Sequence, residues 1–180
     1  AQPQLVAAEN NVFGCGYNSD MTEQAPNAHL TAAIWHWDVY YQAAIETAMT
    51  CGGAENFVTE MGGNAYYAGL SEGFVDASTL NELVAAPGTA AAMEAVRELI
   101  DSGEWDVFSG VKLNITVDAE AGTAAVEQVD APLMSDGYEL KDGEVVEMAN
   151  PEIVPAGGAS VTDDVIKSGM NYNVAGVVEG

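Results

Sequence analysis

Apolar positions fall in short runs between glycine and polar clusters, and their spacing alternates between strand-like and helix-like. Residues 1–10 (AQPQLVAAEN) read as the tail of a helix, with Leu5, Val6 and Ala8 on one side and Asn10-Asn11 as its stop. The runs at 12–17 and 29–34 predict two short strands, and the polar stretch 18–27, punctuated by Pro26, predicts the loop between them. From Asp38 the pattern turns helical: Tyr41, Ala44, Ile45, Ala48 and Met49 recur at three- and four-residue spacing. Asp38 is the expected N-cap of a helix over 38–50, which Gly52-Gly53 ends.

Residues 56–61 predict a strand, 62–65 a glycine loop, and 73–75 a second short strand inside 66–77. Thr79 and Glu82 have capping-box spacing, so a short helix is expected before Pro87. Thr89 then caps a longer helix to Ser102, with Met93, Val96, Leu99 and Ile100 as its buried stripe and Gly103 as its stop. Strands are expected over 107–117, broken at Gly110, and over 124–129. The clearest hairpin is YELK-DG-EVVE at 138–147, where Asp142-Gly143 suits a primed two-residue turn. A Pro/Gly loop follows at 150–160, a helix at 160–168, and a last strand in the tail NYNVAGVVEG. Helix–strand alternation with glycine-rich joins places the chain in the α/β class.

The length of 180 residues allows one domain or two small lobes, and 48% hydrophobic against 18% charged residues argues against disorder. Charge narrows the partners. Twenty-eight acidic residues face four basic ones, Arg97, Lys112, Lys141 and Lys167, for a formal net charge of −24. Such a surface repels a phosphate backbone and an anionic membrane, which removes nucleic acid from the expected partners. The acidity has two readings, a solvated surface or adaptation to high salt, where self-repulsion is screened to short range. Cys15 and Cys51 are either a disulfide or two buried thiols, and there is no CxxC or Cys/His cluster to suggest structural zinc. No apolar run of membrane-spanning length occurs. Residues 1–10 lack the basic start and long apolar core of a signal peptide, so the sequence reads as a mature chain or a piece of one.

Candidate chemistry gathers in the stretch 12–41. Asp20 follows a strand end among Gly, Asn and Ser, where a carboxylate can accept two hydroxyls or cap its own loop. Trp35 and Trp37, read as strand residues, are expected on different faces, one packed in the core and one free to stack on a planar ligand. His29 and His36 lack the partners of a metal site, and no nucleophile–base spacing is present. The glycines at 62–63 and 69–73 lack phosphate-loop spacing and read as tight turns that let backbone approach a ligand.

These residues, taken in order, carry a resemblance. GYNSDM, AP-A-HLT and W-W-YY, then G-L-x-E-G-x-V at 69–75, I-D-S-G-E-W-x-V-F-S-G at 100–110 and N-Y-x-V-x-G-V-V-x-G at 171–180 resemble the basic membrane protein family of ABC-transporter substrate-binding lipoproteins, which includes purine nucleoside receptors. No single motif is diagnostic, but their order and spacing span nearly the whole chain. The resemblance implies a periplasmic-binding-protein type I fold, two Rossmann-like lobes joined by hinge crossovers. Because family members are about twice as long, it implies that these residues are the C-terminal half. On that reading 1–36 end the second lobe and cross the hinge, 37–84 belong to the first lobe, and 85–180 return to the second.

The resemblance further implies a periplasmic or extracellular, lipid-anchored receptor without enzymatic activity or cofactor. Its partners would be a nucleoside-like solute, an ABC permease and the N-terminal half of the receptor. The positions matching the family's cleft are Asn18, Asp20, Trp35, His36, Trp37 and the loop with Gly69, Leu70 and Glu72. Ser71-Glu72 stands where many relatives carry a basic residue and an acid, which leaves other small polar or aromatic solutes open. Two other readings compete: a nucleoside- or sugar-acting enzyme using Asp20 and His36 as acid and base, and an acidic structural surface protein without a cleft.

Overall fold

The computed structural model describes residues 2–176. The protein is mixed α/β with small mixed sheets, and it divides into two units, Ala1–Ala90 and Ala91–Gly180.

In the first unit α1 (Gln2–Glu9) leads into β1 (Gly14–Asn18). Asn11 closes the helix in the left-handed region at φ 54°, the stop that the asparagine pair predicts. β1 runs parallel to β2 (His29–Trp35), and the short β3 (Val75–Ala77) pairs antiparallel with the other side of β2. Buried apolar side chains here are few and mostly small: Ala25, Ala28, Ala32 and Phe74. Buried polar side chains make up the difference. Ser78 Oγ accepts the Ala32 N–H at 2.9 Å, and Asn81 Nδ2 donates to the carbonyls of Pro26 and His29, both at 2.8 Å.

α2 (Trp37–Thr50) begins two residues earlier than an Asp38 cap implies, with His36 at the cap position, so Asp38 lies in the first turn instead of capping it. A carboxylate there still complements the helix dipole. Gly52, at φ 74°, follows the helix end as expected. The stripe of Tyr41, Ile45 and Met49 is not buried in this unit; Met49 is 81% exposed. Periodicity identified the helix correctly, but no element of this unit buries that face.

The expected strand at 56–61 is helical instead: a 3-10 turn at Ala54–Asn56 runs into α3 (Phe57–Glu60). No strand among the described residues pairs with the segment, and local bonds close it, including Met61 N–H to Phe57 O at 2.9 Å and Gly63 N–H to Val58 O at 2.9 Å. The second expected strand moves from 73–75 to Val75–Ala77, because Gly73 is used in a turn at φ 70°. The helix expected after Thr79 is reduced to turns. Asn81, in the middle of that capping-box pattern, is held by its own N–H on Leu30 O at 2.8 Å and by its side chain on Pro26 and His29.

α4 (Thr89–Asp101) matches its prediction and ends at Gly103, φ 71°; nearly all of it lies in the second unit, with its stripe half-buried. β4 (Val111–Asp118) and β5 (Thr123–Asp130) form an antiparallel pair in unbroken register. Residues 107–109 stay outside β4, since the Asp106 carboxylate accepts the Phe108 N–H at 2.8 Å and turns the chain there. β6 (Leu133–Lys141) pairs with β7 (Glu144–Glu147) across Asp142 and Gly143, at φ 52° and 84°, the two positive angles of a type I′ turn. β8 (Glu152–Val154) arises inside the expected loop, and β9 (Tyr172–Val174) forms within the tail; both pair with β6. The remainder of the predicted tail strand, 177–180, lies outside the described residues. The helix expected at 160–168 is a short π-type segment, Val165–Gly169, entered from a single turn.

Gly110 joins these parts. It donates to Gly158 O at 2.9 Å, and its carbonyl accepts from Ala131 at 2.9 Å and Gly157 at 2.7 Å. A side chain at this position would collide with the Pro155 carbonyl oxygen, which is backbone and cannot swing away. Gly110→Ala should therefore destabilise the second unit by about 1–3 kcal/mol. Urea denaturation followed by circular dichroism checks this, and an unchanged midpoint would refute the close approach.

Candidate functional site

β1 and β2 are parallel, so their carboxyl ends, Asn18 and Trp35, lie along one edge of the sheet. Ligands of open α/β sheets bind at such ends. Here the edge carries an aromatic shelf. Trp35 and Trp37 stack with ring centroids 5.8 Å apart, and both meet Phe74 edge-on, at 5.3 and 5.6 Å. Tyr17 packs edge-on to Trp35 at 6.4 Å. Tyr40 contacts Trp37 at 6.3 Å and Tyr66 at 5.3 Å, and Tyr66 reaches Phe74 at 5.2 Å. Phe74 is the buried foundation at 3% exposure, whereas Trp37 is 48% exposed and Tyr17 is also open.

The two tryptophans do not divide between faces as expected. Positions i and i+2 of a strand project to the same side, and Trp37 has already entered α2, so both rings converge on Phe74. His36 stands between them; its N–H bonds Phe74 O at 2.8 Å and its Nε2 lies 3.7 Å from Asp76 Oδ2. The carboxylate beside the shelf is thus Asp76 of β3.

Asp20 lies elsewhere. Its chain turns back after β1, and Oδ1 rests 3.5 Å from Nε2 of fully buried His29, at the opposite end of β2. It accepts the Thr22 N–H at 2.8 Å and borders a separate groove of about 790 Å³ with Thr22, Asn81 and Glu82. The Thr22 hydroxyl, then the Thr22 N–H, hold the Asp20 carboxyl below its ordinary value; partial burial opposes this and His29 adds a smaller pull. His29 Nε2 also accepts the Met21 N–H at 3.3 Å, while buried Nδ1 has no hydrogen-bond partner. Asp20 and His36 therefore each face a different partner, His29 and Asp76.

The remaining candidates sit in one loop. Glu72 Oε2 accepts the Gly69 N–H at 2.6 Å, and Gly69 O accepts the Phe74 N–H at 3.1 Å, so Gly69, half-buried Leu70 and Glu72 form a turn that positions Phe74 under the shelf. Asn18 is exposed, at φ 73°, where β1 ends. The structure thus gathers Asn18, Trp35, His36 and Trp37 at one edge, braces them with the 69–74 turn, and leaves Asp20 apart. Both cysteines are free, and Cys15 is exposed, not buried.

Sequence reasoning missed Phe74, Asp76, Tyr40 and Tyr66. The aromatics at Tyr66 and Phe74 flanking the glycine-rich turn were the available signal. No helix among the described residues is long and apolar enough to cross a membrane. No family model matches the chain, and no curated protein matches its sequence.

The depressed Asp20 value sets a pH dependence. A carboxyl whose folded value lies below its unfolded one stabilises the fold above the unfolded value, near 3.8, and loses that contribution as pH falls through the folded value. Wild type should therefore exceed Asp20→Ala in urea midpoint at neutral pH, and the gap should narrow as pH falls below the unfolded value near 3.8. A gap independent of pH would refute the assignment.

Proposed function

We propose that this chain is part of a solute-binding receptor serving an ABC importer, and that the shelf at the carboxyl ends of β1 and β2 is one wall of its ligand site. The observation that carries this is the half-exposed ring of Trp37, held flat by Trp35 beneath a sheet edge. A rigid aromatic face that is pre-set by packing loses little entropy when a planar ligand stacks on it. His36 and Asp76 beside it supply a donor and an acceptor suited to ribose hydroxyls. The ligand class best matched is a nucleoside: a planar base on Trp37, an uncharged sugar toward Asp76, and no phosphate near the carboxylate.

The motif order from GYNSDM to the tail supports the finer reading, a periplasmic-binding-protein type I receptor of the basic membrane protein family. On that reading the opposite wall comes from an N-terminal half, closure is a hinge motion, and the mature protein is lipid-anchored outside the cytoplasm beside its permease. The shelf also argues against a purely structural surface protein, because Trp37 is open rather than packed away.

The full-length protein should show a thermal shift and tryptophan quenching with adenosine, guanosine or inosine. Trp37→Ala should weaken binding about tenfold to a hundredfold, the usual worth of one aromatic–base stack. If riboflavin shifts the protein and nucleosides do not, the ligand class is wrong and the receptor reading stands. If no solute of a broad panel shifts it, the receptor reading fails.

A further inference from the structure

We propose that the second unit carries a separate binding site for a neutral sugar ring, built where the ladder between β6 and β9 opens. Ser135 pairs with Val174 and Glu139 with Tyr172, so more residues of β6 than of β9 span the interval. The excess bulges at Gly137, whose φ of 95° suits a residue without a side chain. Two bonds fix the bulge: Gly137 N–H to Ser135 Oγ at 3.1 Å and Tyr138 N–H to Asp136 Oδ1 at 3.0 Å. Beside it lies a groove of about 490 Å³, the size of a small-ligand pocket.

Four of the groove's polar side chains form two matched pairs. Asn173 Nδ2 donates to Asp136 Oδ2 at 3.4 Å, and Asn171 Nδ2 donates to Glu139 Oε2 at 3.2 Å and to Leu140 O at 3.0 Å. Each pair offers a carboxylate acceptor next to a carboxamide that both donates and accepts. A hydroxyl also donates and accepts, and neighbouring hydroxyls on a ring need such mixed partners side by side. Tyr138 and Leu140 add exposed apolar surface for the C–H face of the ring. Charge selects further. Two carboxylates on a chain of net charge −24 disfavour an anionic sugar. A metal ion fits less well, since among the described residues no three His, Cys, Asp or Glu side chains converge.

The test is saturation-transfer NMR on the full chain with methyl β-D-glucopyranoside and methyl β-D-galactopyranoside, and with D-glucuronate as the charged control. At least one neutral glycoside should show saturable transfer, and D-glucuronate should show far less. The double variant Asn171→Ala/Asn173→Ala should weaken binding about tenfold or more. Asp136→Asn, which keeps shape and removes charge, should weaken it while leaving the urea midpoint near wild type, so the test does not depend on the double variant folding. Stronger competition by lactose than by the methyl galactoside would point to glycan termini as the source, and equal competition to free sugars. Transfer from neither glycoside, equal transfer from D-glucuronate, or transfer unchanged in both variants would overturn the site.

Discussion

The first unit depends on how β2 keeps its backbone paired. β1 covers one side, but β3 spans only Val75–Ala77 and reaches no further than Ala33. Beyond it residues 78–81 continue the pairing: Ser78 N–H to Ala32 O at 2.8 Å, Ala32 N–H to Ser78 Oγ, Asn81 N–H to Leu30 O, and Asn81 Nδ2 to His29 O. A buried polar group left unmatched costs about 1–3 kcal/mol, whereas burying one methylene gains roughly 0.8 kcal/mol. Among the described residues of this unit the fully buried apolar side chains are three alanines and one phenylalanine, so these polar ties stand beside a small apolar core.

The same ties set the shelf. Holding residues 78–81 on β2 fixes the register of β3, and that register puts Asp76 opposite Ile34 and Val75 opposite Trp35. A slip of one residue would turn every side chain of β3 to the other face. Phe74, just before the strand, is then placed beneath both tryptophans, and His36 closes the end of the ladder on its carbonyl. The aromatic edge is thus a consequence of polar bonds at the far end of the same sheet.

The parts legible in the sequence are those whose signal is local. Asp142-Gly143 specified its turn because only certain residues accept two positive φ values, and Gly103 marked a helix end for the same reason. The strands 12–17 and 29–34 and the helices from 38 and 89 followed from periodicity. What failed depended on partners distant in sequence. Residues 56–61 had a strand's composition but no strand beside them. Asn81 had a helix start around it, yet its hydrogen bonds lie on residues more than fifty positions away. At the site, Asn18, Trp35, His36 and Trp37 were legible as one strand edge. Asp20 was assigned to it by proximity in sequence, and Asp76 overlooked, because only the return of the chain after β1 and the pairing of β3 decide which carboxylate arrives.

The local placement of that carboxylate also decides what the net charge can do. At physiological ionic strength charges are screened over about 8 Å, and at molar salt over about 3 Å. If the acid excess reflects a saline setting, the summed field of −24 reaches little beyond the surface and cannot sort solutes by charge. A carboxylate a few ångströms from the ligand still can, since salt does not enter between groups in contact. Asp76 beside His36, and Asp136 and Glu139 beside their asparagines, would each sit in that unscreened range of a bound ligand. Rejection of phosphorylated or acidic ligands would then follow from these few residues and persist in salt, while the remaining acids serve the solvated surface.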